Sequence, residues 1–274
     1  MQNTFYHSIR LLILPALLAV VSPQAFSATQ IYSNTNSIVV NDTGNPPVTA
    51  TPYPSTISVS NAPLQVISKV TVTLNGLSDD FPSDLGLLLM GPHGQTAVLM
   101  SEAGGQDQYP VTNLTMTLDD DAANFLPIYS NLTSGTFKPT EKDHPLFFDF
   151  PTPAPPGNSN APAALSAFQS TDPNGTWELF VVIDTLPNSG TISNGWSLNF
   201  TLEPAPLQIV LADSSHNVVS WPATLTNCTL QLTHDLSAPI SWQDVVASPA
   251  IVGNQLVITN IISSTNTFYR LEEN

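Results

Sequence analysis

The chain has 274 residues, 42% of them hydrophobic and only 9% charged, with 25 prolines and a formal net charge of −16. Five basic residues against 21 acidic ones argue against nucleic acid and anionic membranes as partners, because such surfaces need Lys and Arg to displace counterions. The single cysteine, Cys228, leaves no internal disulfide to make.

At the N-terminus, Arg10 precedes the apolar run Leu11 to Val21, with Pro23 and small residues after it. This is the layout of a signal peptide, and the run is short for a membrane span. Ala25-Phe26-Ser27 fits the small-x-small rule, so cleavage is expected after Ser27. The mature chain is then secreted or on the cell surface, without a membrane span, and keeps four basic residues.

Residues 30–53 are Asn/Thr-rich, with one short strand candidate at Ser37 to Val40. Ile57 and Val59, then Val66 to Leu74, alternate apolar with polar and predict two strands separated by Asn61-Ala62-Pro63. Residues 76–84 read as an acidic turn. Leu87 to Met90 and Gln95 to Met100 predict strands joined by the hairpin turn Gly91-Pro92-His93-Gly94. Leu114 to Leu118 is the next strand, followed by Asp119-Asp120-Asp121 and a Ser134-Gly135-Thr136 turn. Pro151 to Pro162 is too proline-dense for a strand interior, and Ala163 to Phe168 fits one helical turn. Asn174 to Leu202 reads as a β-hairpin with Trp177 and Trp196 near the starts of its arms. Trp177, Leu179, Val181 and Ile183 alternate in one arm, and Trp196, Leu198 and Phe200 in the other.

Asp172-Pro173-Asn174-Gly175-Thr176-Trp177, Asp184, Gly190 and Gly195-Trp196-Ser197-Leu198 together resemble the closing motif of the P domain, also called P/Homo B, of proprotein convertases and secreted bacterial proteins. Asp84-Leu85, Leu87 to Met90 and Gly91-Pro92-His93-Gly94 resemble a second signature of that family, and the likeness covers about residues 30–202. It implies a jelly-roll β-sandwich over 28–203. It also implies that a subtilisin-like serine peptidase is a candidate partner, since a P domain sits behind such a catalytic domain in convertases.

Residues 204–206 read as a short, stiff linker. In 207–274, short strand candidates recur at Leu207 to Leu211, Val218 to Trp221, Cys228 to Leu232, Ser241 to Val246, Gln255 to Ile261 and Asn266 to Leu271. This spacing predicts a small immunoglobulin- or fibronectin-like sandwich that leans on its neighbour, being near the lower size limit for a self-sufficient core. Val219-Ser220-Trp221-Pro222, Asp235-Leu236, Trp242 and Phe268-Tyr269-Arg270-Leu271 resemble a C-terminal module of secreted proteins from Verrucomicrobia-like bacteria. The fold class expected is therefore all-β, in two sandwiches.

No catalytic constellation stands out. There is no Gly-Thr-Ser nucleophile motif and no His-Glu-x-x-His, and His93, His144, His216 and His234 lack metal-ligand spacing. The carboxylates are the live chemistry. Asp79, Asp80 and Asp84 in the acidic turn, with Asp184 at the end of the Trp177 strand, are candidate ligands for calcium, which takes six to eight oxygens from loops. Asp119 to Asp121 could add to them. The competing reading has Asp84 and Asp184 accepting backbone N–H groups in their turns. Trp177, Trp196, Trp221 and Trp242 are expected in cores, whereas Tyr109, Phe125 and Tyr129 fall in loops where a binding role stays open. The function expected is a non-enzymatic accessory module, with calcium as the candidate ion and an extracellular protein or cell-surface component as its partner. The alternatives are a partner for a separate serine peptidase and a carbohydrate-binding module.

Overall fold

A computed structural model describes residues 28–40, 43–62, 64–105, 109–143, 146, 148–262 and 266–274. The expected leader, His144 and the Asn41 end of the first loop lie outside these residues. The protein is nearly all β. In chain order the first part holds β1 (Ala28–Asn34), β2 (Ile38–Val40), β3 (Val48–Thr49), β4 (Ser55–Val59), β5 (Gln65–Asp79), β6 (Leu85–Met90) and β7 (Thr96–Ser101). It continues with β8 (Val111–Leu118), β9 (Gly135–Phe137), β10 (Thr140–Glu141), β11 (Gly175–Ile183), β12 (Gly190–Ile192) and β13 (Trp196–Pro204). The 3₁₀ turns are Pro82–Asp84, Asn158–Asn160 and Leu165–Phe168. No helix among the described residues is long and apolar enough to cross a membrane.

These strands form two facing sheets. The first has the order β1-β13-β5-β12-β2, with β8 on the other side of β5 and β9 parallel to β8. The second has the order β10-β7-β6-β11, and both β3 and β4 pair with the far edge of β11. Side chains alternate across a strand, so each strand sends one set inward. From β11 these are Trp177, Leu179, Val181 and Ile183; from β13 they are Trp196, Leu198, Phe200 and Leu202, all buried in one core. Trp177 meets Phe168 and Phe200 at ring separations of 4.9 and 5.2 Å.

The expected hairpin of 174–202 is thus corrected. Its two arms lie in opposite sheets and never pair with each other: β11 bonds β3, β4 and β6, whereas β13 bonds β1 and β5. The apolar alternation was legible, but both arms needed an apolar lid on the same core. Facing each other across it meets that need as well as pairing edge to edge does. From Leu179 on, β11 is buried on both faces. Phe180 and Val182 on its outer face join Leu88, Val98, Leu146, Phe150, Ala154 and Ala161 in a second core beneath the proline-rich loop. Asn158, itself 3% exposed, ties that loop together by accepting the Phe150 N–H (2.8 Å) and donating to the Phe150 and Pro155 carbonyls.

The remaining chain forms β14 (Gln208–Leu211), β15 (His216–Pro222), β16 (Cys228–Thr233), β17 (Gln243–Asp244), β18 (Ala250–Val252), β19 (Gln255–Ile261) and β20 (Phe268–Glu273). They make a four-stranded sheet, β14-β15-β19-β18, and a three-stranded one, β17-β16-β20. Val219, Trp221, Leu225, Leu230 and Ile258 fill the core between them, and Val66 of β5 enters the same cluster. The small sandwich therefore completes its core with a residue of the large one. The predicted linker is tied to the large sandwich: Pro204 ends β13, and the Ala205 N–H donates to the Leu64 carbonyl at 2.8 Å. Trp242 departs from its expected core position. It lies half-buried beside the short β17, with the Arg270 guanidinium 4.7 Å from its ring centre.

Candidate functional site

The acidic segment after β5 divides among three environments. β5 runs on through Gly76 to Asp79, crossing register irregularities near Asn75 and Leu77, so Asp79 is a strand residue rather than part of a turn. Its side chain is 3% exposed. Oδ1 accepts the Phe81 N–H at 2.8 Å, while Oδ2 is buried without a hydrogen-bond donor. Burial pushes the Asp79 carboxyl up to about 7, against the Phe81 N–H and the Asn188 amide, and the charges of Asp80 and Asp84 push the same way. Asn188, also buried, clamps the turn by accepting the Phe81 N–H and donating to the Phe81 carbonyl at 3.0 Å. Asp80 is exposed and accepts the Ser189 hydroxyl at 2.7 Å.

Asp84 and Asp184 do come together. Asp84 closes the 3₁₀ turn that starts at Pro82, and Asp184 follows the last residue of β11; between them Leu85 and Ile183 are strand partners. The Asp184 N–H donates to the Asp84 carbonyl at 3.0 Å. Burial raises both carboxyls, Asp184 to about 6, and the charges of Asp84 and Glu102 add to the rise at Asp184. Glu102, which the sequence did not single out, acts on both carboxyls through its charge. It sits just past β7 with φ +50°, a conformation few residues other than glycine adopt. Its carboxylate pairs with Lys142 at 2.8 Å.

The four candidate ligands Asp79, Asp80, Asp84 and Asp184 therefore do not form one cage. Among the described residues no three His, Cys, Asp or Glu side chains gather as a metal ion would require. Asp119 to Asp121 are engaged elsewhere. Lys69 pairs with Asp119 and Asp121 at 2.8 and 2.7 Å, and Asp120 accepts the Leu165 and Ser166 N–H groups at 2.9 and 2.7 Å, capping the last 3₁₀ turn.

An exposed aromatic surface adjoins the Glu102–Lys142 pair. Phe125 and Tyr129 are 62% and 71% exposed, and the segment between them is fixed from below. The Gly104 N–H donates to the Pro127 carbonyl, the Gly105 N–H to that of Ile128, and the Leu126 N–H to Thr140 Oγ1 at 2.9 Å. The Lys138 ammonium stands 5.6 Å from the Phe125 ring centre, and Tyr129 lies near Lys142. Tyr109, by contrast, is only partly exposed and packs on Gly105.

Comparison with protein-family models, with curated proteins and with solved structures finds no match for the chain.

One Ser–His–Asp grouping also occurs, at Asp213, Ser215 and His216 in the turn between β14 and β15. Ser215 Oγ and the Asp213 carboxylate both approach Nδ1 of His216, at 2.9 to 3.0 Å, and Ser215 also donates to Asp213. A proton relay needs the carboxylate on one ring nitrogen and the nucleophile on the other. This arrangement is a solvated turn.

Proposed function

We propose that this protein is an extracellular, non-catalytic accessory module that binds a protein or cell-surface component through the surface around Phe125 and Tyr129. One observation carries the reading: two large aromatic rings stand exposed beside Lys138 and the Glu102–Lys142 pair, on a segment whose backbone is held by hydrogen bonds to the loop at Gly104 and Gly105 and to Thr140 of β10. A rigid exposed aromatic beside charged groups is a recurrent anchor of binding surfaces, because its burial removes much apolar area at little entropic loss. Export rests on the leader read in residues 1–27, and the P-domain resemblance makes a separate subtilisin-like serine peptidase one protein partner to test. Calcium belongs to this reading only at Asp84 and Asp184. Those two carboxylates fall short of the six to eight oxygens calcium takes, so an ion there would draw on loop carbonyls and water.

The same two rings favour a second reading, carbohydrate binding, since sugars stack on exposed aromatics. Sedimentation of the mature protein with cell envelopes, in calcium and in chelator, tests both. Under the first reading, Phe125→Ser with Tyr129→Ser abolishes pelleting while the fold, followed by circular dichroism, is kept. If free oligosaccharide releases the wild-type protein, the carbohydrate reading replaces the first. If the double variant pellets like the wild type, this surface is not the contact. Pelleting lost in chelator and in Asp84→Asn alike would give calcium a part in binding.

A further inference from the structure

We infer that the cleft between the two sandwiches is a binding site for an organic cation, a primary ammonium or guanidinium group. The cleft encloses about 510 Å³, within the range of small-molecule sites. Its walls come from both sandwiches: Ser60 to Ala62 after β4, with Asp172, on one side, and Leu225, Asn227, Cys228 and Glu273 of β20 on the other.

The lining sets the ligand's chemistry. Among the described residues it has two carboxylates, Asp172 and Glu273, and no Lys, Arg or His. Asp172 Oδ1 accepts both the backbone and side-chain N–H groups of Asn174, at 2.9 and 2.8 Å, whereas no described residue donates to Oδ2. Burial raises the Asp172 carboxyl above its usual range, and the two Asn174 hydrogen bonds and, least, nearby His93 offset this only in part. His93 stands outside the cleft wall, exposed, with Nε2 at the Asp172 carbonyl. Ser60, Asn61 and Asn227 add oxygen acceptors, and Val59, Leu64 and Leu225 give an apolar wall for an alkyl stem. The space is much wider than a bare metal ion needs, and the lining holds no aromatic ring for a sugar to stack on. The net charge of −16 raises the concentration of cations around the whole molecule.

Cys228 lines the same cleft and is the chain's only cysteine, so its reactivity reports occupancy. The probe is agmatine, a butyl chain with an amine at one end and a guanidinium at the other. The assay is the rate of Cys228 alkylation by iodoacetamide, with amide shifts of Ala62, Asn227 and Glu273 in nitrogen–proton spectra as a second readout. Millimolar agmatine is expected to slow alkylation at least fivefold and to shift those amides, while sodium chloride at equal ionic strength does neither. Glu273→Gln, at an exposed position of β20, and Asp172→Asn, which keeps the acceptor for Asn174, are each expected to weaken agmatine at least fivefold. A capped arginine tripeptide that protects better than agmatine would point to a peptide side chain as the source of the cation. No protection and no shift at 50 mM agmatine, equal protection by glucose, or unchanged affinity in Glu273→Gln and Asp172→Asn would each overturn the assignment.

Discussion

Gly190 and Asp79 face each other as strand partners where β12 meets β5, and Oδ2 of Asp79 occupies the space in which a side chain at position 190 would begin. The neighbouring Ser78 carbonyl would stand 3.2 Å from that same Cβ. Gly190→Ala must therefore push a buried carboxylate or the strand itself. A loss of about 2 kcal/mol or more is expected, read from the urea midpoint at unchanged slope.

Asp79 also makes stability depend on pH. Its carboxyl holds a proton up to about 7 in the native protein, whereas in the unfolded chain it ionises near 4. Between these values the native state binds more protons, so stability falls as pH rises through the window. Asp184, raised to about 6, adds to the fall over the lower part of it. The melting temperature is expected to drop by roughly 5 °C from pH 5 to pH 8. Asp79→Asn should remove most of that slope, and a wild-type melting temperature that rises over this range would contradict the account.

The double acceptance of N–H groups by Asp120 fixes the turn Leu165–Phe168, which carries Phe168 into the main core. Asp120→Ala should destabilise by about 1–2 kcal/mol, the usual range for a lost carboxylate cap. Asp120→Asn should fall between the two, because it keeps one acceptor.

The Trp196 indole donates to Ser55 Oγ at 2.9 Å, and Ser55 is 1% exposed. Trp196→Phe leaves that hydroxyl with only the longer contact from Asn34 Nδ2, at 3.4 Å, and is expected to cost about 1–3 kcal/mol. Adding Ser55→Ala should return part of the loss, giving a coupling energy in a double-mutant cycle.

The Asp213–Ser215–His216 turn gives an enzymatic test. Ser215→Ala is expected to leave turnover of activated esters by the purified protein unchanged. A drop to the buffer rate would mean that His216 works in a geometry other than the one described.

The strands were mostly legible because apolar alternation is local: β4 to β8 and the second sandwich's main strands lie close to where the pattern put them. What the pattern does not carry is the identity of the partner. β1 escaped notice because it is polar and lies at a sheet edge, with Ile31 67% exposed, although it pairs with β13 along its whole length. The short β18 escaped because three apolar residues are too few to show an alternation, and at its sheet edge all three are exposed. The hairpin reading of 174–202 failed because two apolar faces fit together equally well across a core. At the candidate site, the acidic residues were visible, but their separation was not. Asp79 is drawn into the sheet by a strand that continues past Gly76, and Glu102, which carried no motif, joins Asp84 and Asp184 through the tertiary fold alone. Phe125 and Tyr129 could be flagged as loop aromatics, and their exposure is a property of how the loop is held.

The pairing of β1 with β13 has a consequence for synthesis. The first strand of the large sandwich hydrogen-bonds to its last, from Ala28 opposite Leu202 to Asn34 opposite Trp196. A chain leaving the ribosome cannot close that sheet until it has been made as far as Pro204, and Val66 gains its neighbours Val219 and Trp221 later still. Contacts so distant along the chain slow folding and delay the finished sandwich until late in its production. Such a chain stays threadable through a narrow pore until its final third has been translated.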